Sequence, residues 1–252
     1  MAAVGTLYGI GVGPGDPELL TVKAARLIGA SPVIAYFAKR GGKGTARMIA
    51  HGYFGPSAVE LPLYYPVTVE LSATEPEYHA LLVSFYDEAA AAVALHLAQG
   101  RDVVVLCEGD PLFYGSYMYL HDRIAPRFPS VVVPGVTGMA GCAATAGLPM
   151  TYGNDVLLVV PGTLGEDELE RRLAGADAAV IMKLGRNFPK VRRVLERLGL
   201  ADRSTYVERG TMPGGHATPL MQKADDTAPY FSLVLVPGRE RRVAAQAEAK
   251  AV

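Results

Sequence analysis

Apolar and polar positions alternate along this chain in two distinct rhythms. Short apolar runs at 6–11, 32–37, 102–107 and 130–133 predict buried strands. Between them, apolar positions three to four apart predict helices over 17–28, 45–51, 77–99, 114–124 and 137–146. The first of these opens Asp16-Pro17-Glu18, an N-cap residue followed by proline at the first helical position, a combination suited to starting a helix. Strands that alternate with helices imply a parallel sheet joined by right-handed crossovers.

The pattern restarts after Gly147-Leu148-Pro149-Met150. Strands are expected at 156–160, 178–182, 205–208 and 231–236, and helices at 166–173 and 188–198. The chain therefore reads as α/β: an N-terminal domain (1–152) on a parallel sheet and a C-terminal domain (153–240) on a mixed sheet. The cofactor cleft is expected between them. The charged, alanine-rich segment 241–252 reads as a flexible tail.

Composition narrows the function. Half of the 252 residues are apolar and the mean hydropathy is +0.20, enough to build a large core. A formal net charge of −1 gives no field that would favour nucleic acid or an anionic membrane. The best apolar run, 89–95, is too short to span a bilayer, and no basic segment precedes an apolar stretch at the N-terminus. Cys107 and Cys142 lie in apolar surroundings without a CxxC partner and read as buried, reduced residues of a cytoplasmic protein.

The candidate chemistry sits in three loops, each directly after an expected strand, where open parallel sheets collect their ligands. The first is Gly9-Ile10-Gly11-Val12-Gly13-Pro14-Gly15-Asp16. Its glycines fail the dinucleotide spacing, because Pro14 or Asp16 holds the third glycine position. Gly42-Lys43-Gly44-Thr45 likewise breaks the phosphate-loop run. The bare alternative is a turn that only reverses the chain.

The second loop runs from Glu108-Gly109-Asp110-Pro111 to Phe113-Tyr114-Gly115-Ser116. Its carboxylates suit a cationic or hydroxyl-rich ligand, or Asp110 simply caps the following helix. No His or Cys stands at ligand spacing, so no metal is expected. The third loop, Pro134-Gly135-Val136-Thr137-Gly138, offers a threonine and backbone N–H groups to a carboxylate or ribose. No GxSxG elbow or HExxH pair supports hydrolysis. Basic residues gather at Lys39, Arg40, Lys43 and Arg47, and at Lys183 and Arg186: a solvated surface, or a rim for a polyanionic substrate.

Taken together, these loops resemble the tetrapyrrole methylase family over nearly the whole chain. Gly9 through Ala24 is similar to its first signature, Glu108 through Tyr114 to its Gly-Asp-Pro loop, Pro134 through Ala146 to its third, and Val207-Glu208-Arg209-Gly210-Thr211 to a late one. With Tyr64-Tyr65-Pro66-Val67-Thr68, the combination most resembles the precorrin-2 C-20-methyltransferase branch. The uroporphyrinogen methylase branch usually has glycine in place of Glu108. One departure stands out. Where Val-Thr-Ser-Met-Ser-Ala is expected, this chain reads Val136-Thr137-Gly138-Met139-Ala140-Gly141, without a serine hydroxyl at Gly138.

The resemblance implies an S-adenosylmethionine-dependent methyltransferase that methylates C-20 of precorrin-2 and acts as a homodimer; the near-neutral charge and short apolar runs argue against nucleic acid or membrane partners. Pro14, Glu108, Gly109, Asp110, Phe113, Thr137, Gly138, Met182 and Gly210 match positions that line the cofactor. Tyr114, Glu108 or solvent are candidates for the proton lost after transfer, and Arg40, Lys43, Lys183 and Arg186 are candidates to meet substrate carboxylates. A cobalt-containing factor II, another corrin carbon, or a cofactor-binding module without turnover are the alternatives.

Overall fold

The computed structural model describes residues 3–66 and 76–238, so Val67, Thr68 and the expected tail 241–252 lie outside the described residues. The chain divides into two compact units, Met1–Gly138 and Met139–Val252.

The first unit holds β1 (Leu7–Gly11), β2 (Val33–Lys39), β3 (Val59–Tyr65), β4 (Val103–Cys107) and β5 (Ser130–Val133) in the order β3-β2-β4-β1-β5. Every neighbouring pair is parallel. Both faces are covered, which explains why β2 and β4 read as unbroken apolar runs. On one face Ala35, Phe37, Val103 and Val105 pack under α3 (Pro76–Ala98) and α4 (Tyr117–Ile124). On the other, Ile34, Tyr36, Val104 and Leu106 pack under α1 (Val22–Ala30) and α2 (Thr45–Ala50).

Four local expectations are corrected. The helix expected from Pro17 is interrupted: Asp16 caps a single 3-10 turn, Pro17–Leu19, by accepting the Glu18 N–H at 2.9 Å. Thr21 then caps α1 by accepting from Ala24 at 3.1 Å. The helix expected from residue 114 begins at Tyr117, because Tyr114 takes a left-handed φ of 55°. Strand β3 carries Pro62 and lies at the sheet edge, where a missing N–H costs no ladder bond; that hid it from the apolar pattern.

The fourth concerns α3. Residues 79–98 have a mean hydropathy of 1.4 and suffice in length and composition to cross a membrane, unlike the run 89–95 alone. However, Phe85, Tyr86, Ala89, Ala90, Val93 and Leu97 bury against the sheet, while Asp87 and Glu88 face outward. That is the burial pattern of a core helix.

The second unit holds β6 (Leu157–Pro161), β7 (Ala178–Met182), β8 (Thr205–Glu208), β9 (His216–Pro219) and β10 (Ser232–Val236) in the order β6-β7-β10-β8-β9. Only β6 and β7 pair in parallel, so this sheet is mixed. Edge strand β9 has no apolar run and left no signal in the pattern. One face carries α6 (Glu166–Leu173) and α7 (Phe188–Arg197). The other carries α5 (Gly138–Ala146), whose Cys142 and Ala143 bury against Val180, Val207, Leu233 and Leu235. That packing draws α5 to the second sheet, and the division falls at its start rather than near residue 152.

Candidate functional site

The three loops singled out in the sequence leave the carboxyl ends of β1, β4 and β5, which are adjacent in the sheet. Their glycines bring the backbones together. Gly13 and Gly109 form an isolated bridge, with the Gly109 N–H donating to the Gly13 carbonyl at 2.8 Å and the reverse bond at 3.3 Å. Both sit at positive φ, 79° and 64°. A Cβ on Gly135 would stand 2.1 Å from the Gly109 carbonyl oxygen, and one on Gly11 2.6 Å from the Gly135 nitrogen. These positions accept glycine because backbone touches backbone.

The carboxylates of the second loop face the protein's own N–H groups. Asp110 Oδ1 accepts from Leu112 at 2.9 Å, closing the turn, and Oδ2 accepts from Gly135 at 3.0 Å, tying the second loop to the third. Glu108 Oε1 accepts the Ala46 N–H at 3.0 Å, near the start of α2. Burial pushes the Glu108 carboxyl above its ordinary pKa, against the lowering effect of these backbone donors.

Helix α2 is fixed from its other side. Arg47 pairs with Glu60 of β3 through two bonds, at 2.5 and 2.7 Å, and the Tyr36 hydroxyl donates to the same carboxylate at 2.7 Å. The Arg47 guanidinium holds Glu60 down at about 2, and burial beside that carboxylate raises Tyr36 to about 12. Arg47 is therefore committed within the fold. The Ala46 contact left no trace in the sequence, because a backbone N–H makes it.

The remaining expected positions of the first unit surround this junction. Pro14 is buried next to the Gly13–Gly109 bridge; Phe113 and Thr137 are half-buried. Gly138 opens outward: a Cβ there would meet nothing within 4 Å. Tyr114 is 40% exposed and packs edge-on against Phe113, ring centroids 4.9 Å apart. Arg40 and Lys43 are exposed in the connection that follows β2, at the same carboxyl edge.

In the second unit, Met182 ends β7 and Gly210 follows the end of β8, strands that run in the same direction on either side of β10. A Cβ on Gly210 would lie 2.6 Å from the Cys142 sulfur, so helix α5 requires glycine there. Thr145 of α5 accepts the Thr211 N–H at 3.0 Å and fixes the same turn. Lys183, Arg209 and Thr211 all adopt left-handed φ, between 49° and 64°, on this edge. A non-glycine residue held so costs about 1 kcal/mol or more and persists where its surroundings over-determine it, commonly at functional sites. Lys183 and Arg186 are exposed.

Comparison with known proteins places this arrangement. The chain is 59% identical over 239 residues to the precorrin-2 C(20)-methyltransferase of a Sinorhizobium species, covering 95% of this chain and 98% of that protein. It is 29% identical to the cobalt-precorrin-2 C(20)-methyltransferase of Salmonella typhimurium, covering 92% and 96%. The crystal structure of a uroporphyrin-III C-methyltransferase from Thermus thermophilus, complexed with S-adenosylhomocysteine, superposes with a TM-score of 0.61 at 27% identity, over 95% of this chain and all of that one. Residues 6–220, which include the three loops and the late segment 207–211, match the family as a whole: this chain belongs to the tetrapyrrole (corrin/porphyrin) methylases.

Proposed function

We propose that this protein transfers the methyl group of S-adenosylmethionine to C-20 of precorrin-2, giving precorrin-3A on the route to cobalamin. The observation that carries this reading is the 59% identity to a precorrin-2 C(20)-methyltransferase across almost the full length of both chains. The bound S-adenosylhomocysteine of the Thermus relative supports the choice of methyl donor.

The residues present fit that donor. The glycine junction brings three loop backbones within reach of one ligand, and Gly138 leaves open space beside Thr137. When bound, S-adenosylmethionine supplies a sulfonium methyl that is already electrophilic. The chain's own task is then alignment more than acid–base chemistry, and tethered loops suit alignment. Asp110 and Glu108 act by holding the loops, while Pro14, Gly109, Phe113, Thr137 and Gly138 line the donor; Met182 and Gly210 are assigned to it by the family likeness alone. The proton released after transfer goes to the Glu108 carboxylate, to solvent, or through Tyr114 as a relay that gives up its own hydroxyl proton as it receives another. Arg40, Lys43, Lys183 and Arg186, all exposed, meet the substrate's carboxylates. The homodimer carries over from the family likeness, while a cytoplasmic location without nucleic acid or membrane partners rests on the near-neutral charge and the two buried cysteines.

The second reading is a cobalt-containing substrate, favoured by the likeness to the Salmonella protein. Identity of 59% to the precorrin-2 enzyme against 29% to the cobalt-precorrin-2 enzyme supports the first. Relative kcat/KM for metal-free and cobalt-containing substrate, presented together under anaerobic conditions, decides between them. Preference for the metal-free ring is expected; turnover of the cobalt form alone would reverse the assignment.

A further inference from the structure

We infer that Tyr65 is a positioning residue, whose hydroxyl holds the Tyr114–Ser116 turn in place for the tetrapyrrole. This rests on the proposed methyl transfer.

Tyr65 ends edge strand β3, where the parallel sheet presents its carboxyl ends. Its ring is fixed on two sides. It stacks on Phe37 with centroids 5.5 Å apart and an interplanar angle of 21°, and lies 4.9 Å from Phe85. Phe37 and Phe85 are both buried, so the hydroxyl is aimed by a packed aromatic wall, not by a loose side chain. That hydroxyl is hydrogen-bonded to the Ser116 Oγ.

Ser116 occupies the N-cap position of α4. Serine there ordinarily turns its hydroxyl onto an N–H of the first helical turn. Here it makes no such capping bond, and its hydroxyl meets Tyr65 instead. The turn ahead of it is compact: Phe113 donates to the Asp110 carbonyl at 3.3 Å, and a Cβ on Gly115 would lie 3.0 Å from the Pro111 carbonyl oxygen. Tyr114, at φ 55°, sits between two anchors, Asp110 on Gly135 and Ser116 on Tyr65. A left-handed tyrosine persists only where both sides of the turn are held. Removal of the Tyr65 anchor frees the Tyr114 side while the glycine junction keeps its bonds.

The experiment compares wild type with Tyr65→Phe, Ser116→Ala and the double variant. Tyr65→Phe keeps the stacked ring and deletes only the hydroxyl. About a tenfold loss of kcat/KM for precorrin-2 is expected in each, with S-adenosylmethionine affinity within twofold of wild type and the double variant no worse than either single one. Losses that multiply, a parallel loss of donor affinity, or unchanged turnover would each overturn the inference. Hydrogen exchange of the 110–118 backbone is read on the same proteins without substrate. It must quicken several-fold in Tyr65→Phe, and unchanged exchange overturns the tether. Absence of turnover in wild type itself would defeat the proposed reaction, a different outcome from either.

Discussion

Asp110 and Gly135 are joined across two loops: one oxygen of the carboxylate accepts the Gly135 N–H at 3.0 Å, while the other closes its own turn on Leu112 at 2.9 Å. One side chain thereby sets the distance between the loops after β4 and β5. Asp110→Ala removes both bonds and leaves two N–H groups to find other partners. Bonds to a charged acceptor contribute about 1.5–3 kcal/mol each. A loss of about 3 kcal/mol or more in urea unfolding is expected for the two bonds together, along with weaker S-adenosylmethionine binding by calorimetry. Unchanged stability would mean that the loops hold each other without it.

Gly135 and Gly138 separate folding from binding. At Gly135 an added methyl meets a backbone carbonyl that cannot move alone, so Gly135→Ala should cost about 3 kcal/mol or more. At Gly138 the space is open and φ is not left-handed. Gly138→Ser should therefore melt no lower than wild type and bind the donor at least as well. A melting temperature that falls in both variants to the same extent would contradict the difference in their surroundings.

The Arg47–Glu60–Tyr36 cluster predicts both pH limits of stability. Glu60 is held at about 2 in the fold against an ordinary 4.5, so its contribution is complete above about 4.5 and is lost as pH falls toward 2. Tyr36 is raised from 10.0 to about 12, so its contribution is complete below 10 and is lost as pH rises toward 12. Melting temperature followed from pH 2 to pH 12 should show both declines. Glu60→Gln should flatten the acid limb and Tyr36→Phe the alkaline one; limbs unaltered by these changes would assign the titrations elsewhere.

Much of this was legible in the chain, for physical reasons that differ by element. Strands β2 and β4 are covered on both faces, and burial on both faces writes an unbroken apolar run. The glycine loops were visible because backbone contact requires Gly11 and Gly135, and a left-handed φ of 64° favours glycine at Gly109. Edge strands β3 and β9 were missed, since an edge tolerates Pro62 or a polar run such as His216-Ala217-Thr218. The Asp110 cap was foreseen and is met in the bond from Leu112, though it closes a turn instead of starting a helix; the Glu108 contact and the tie from Asp110 to Gly135 were beyond reach. Their partners, Ala46 and Gly135, contribute backbone N–H groups, and a backbone donor has no signature in a sequence.

Both cysteines are buried, and burial raises the Cys107 thiol well above its usual range and Cys142 to about 11. Native protein at pH 8 should therefore resist a thiol reagent at both positions, and react at both on denaturation. Fast native labelling of either would mean that its surroundings open.

The exposed cations test the substrate rim. Reversal of Arg40, Lys43, Lys183 or Arg186 to glutamate should raise KM for the tetrapyrrole about tenfold while donor affinity stays constant. Steady-state kinetics with calorimetry on each variant reads this division directly, and equal losses of both affinities would abolish it.

The most direct measurement is an anaerobic incubation of the protein with precorrin-2 and S-adenosylmethionine carrying a 13C methyl, followed by mass spectrometry and NMR of the ring. One added methyl located at C-20 of the metal-free macrocycle is the predicted result. A methyl on another carbon, or no transfer despite tight donor binding, would contradict it.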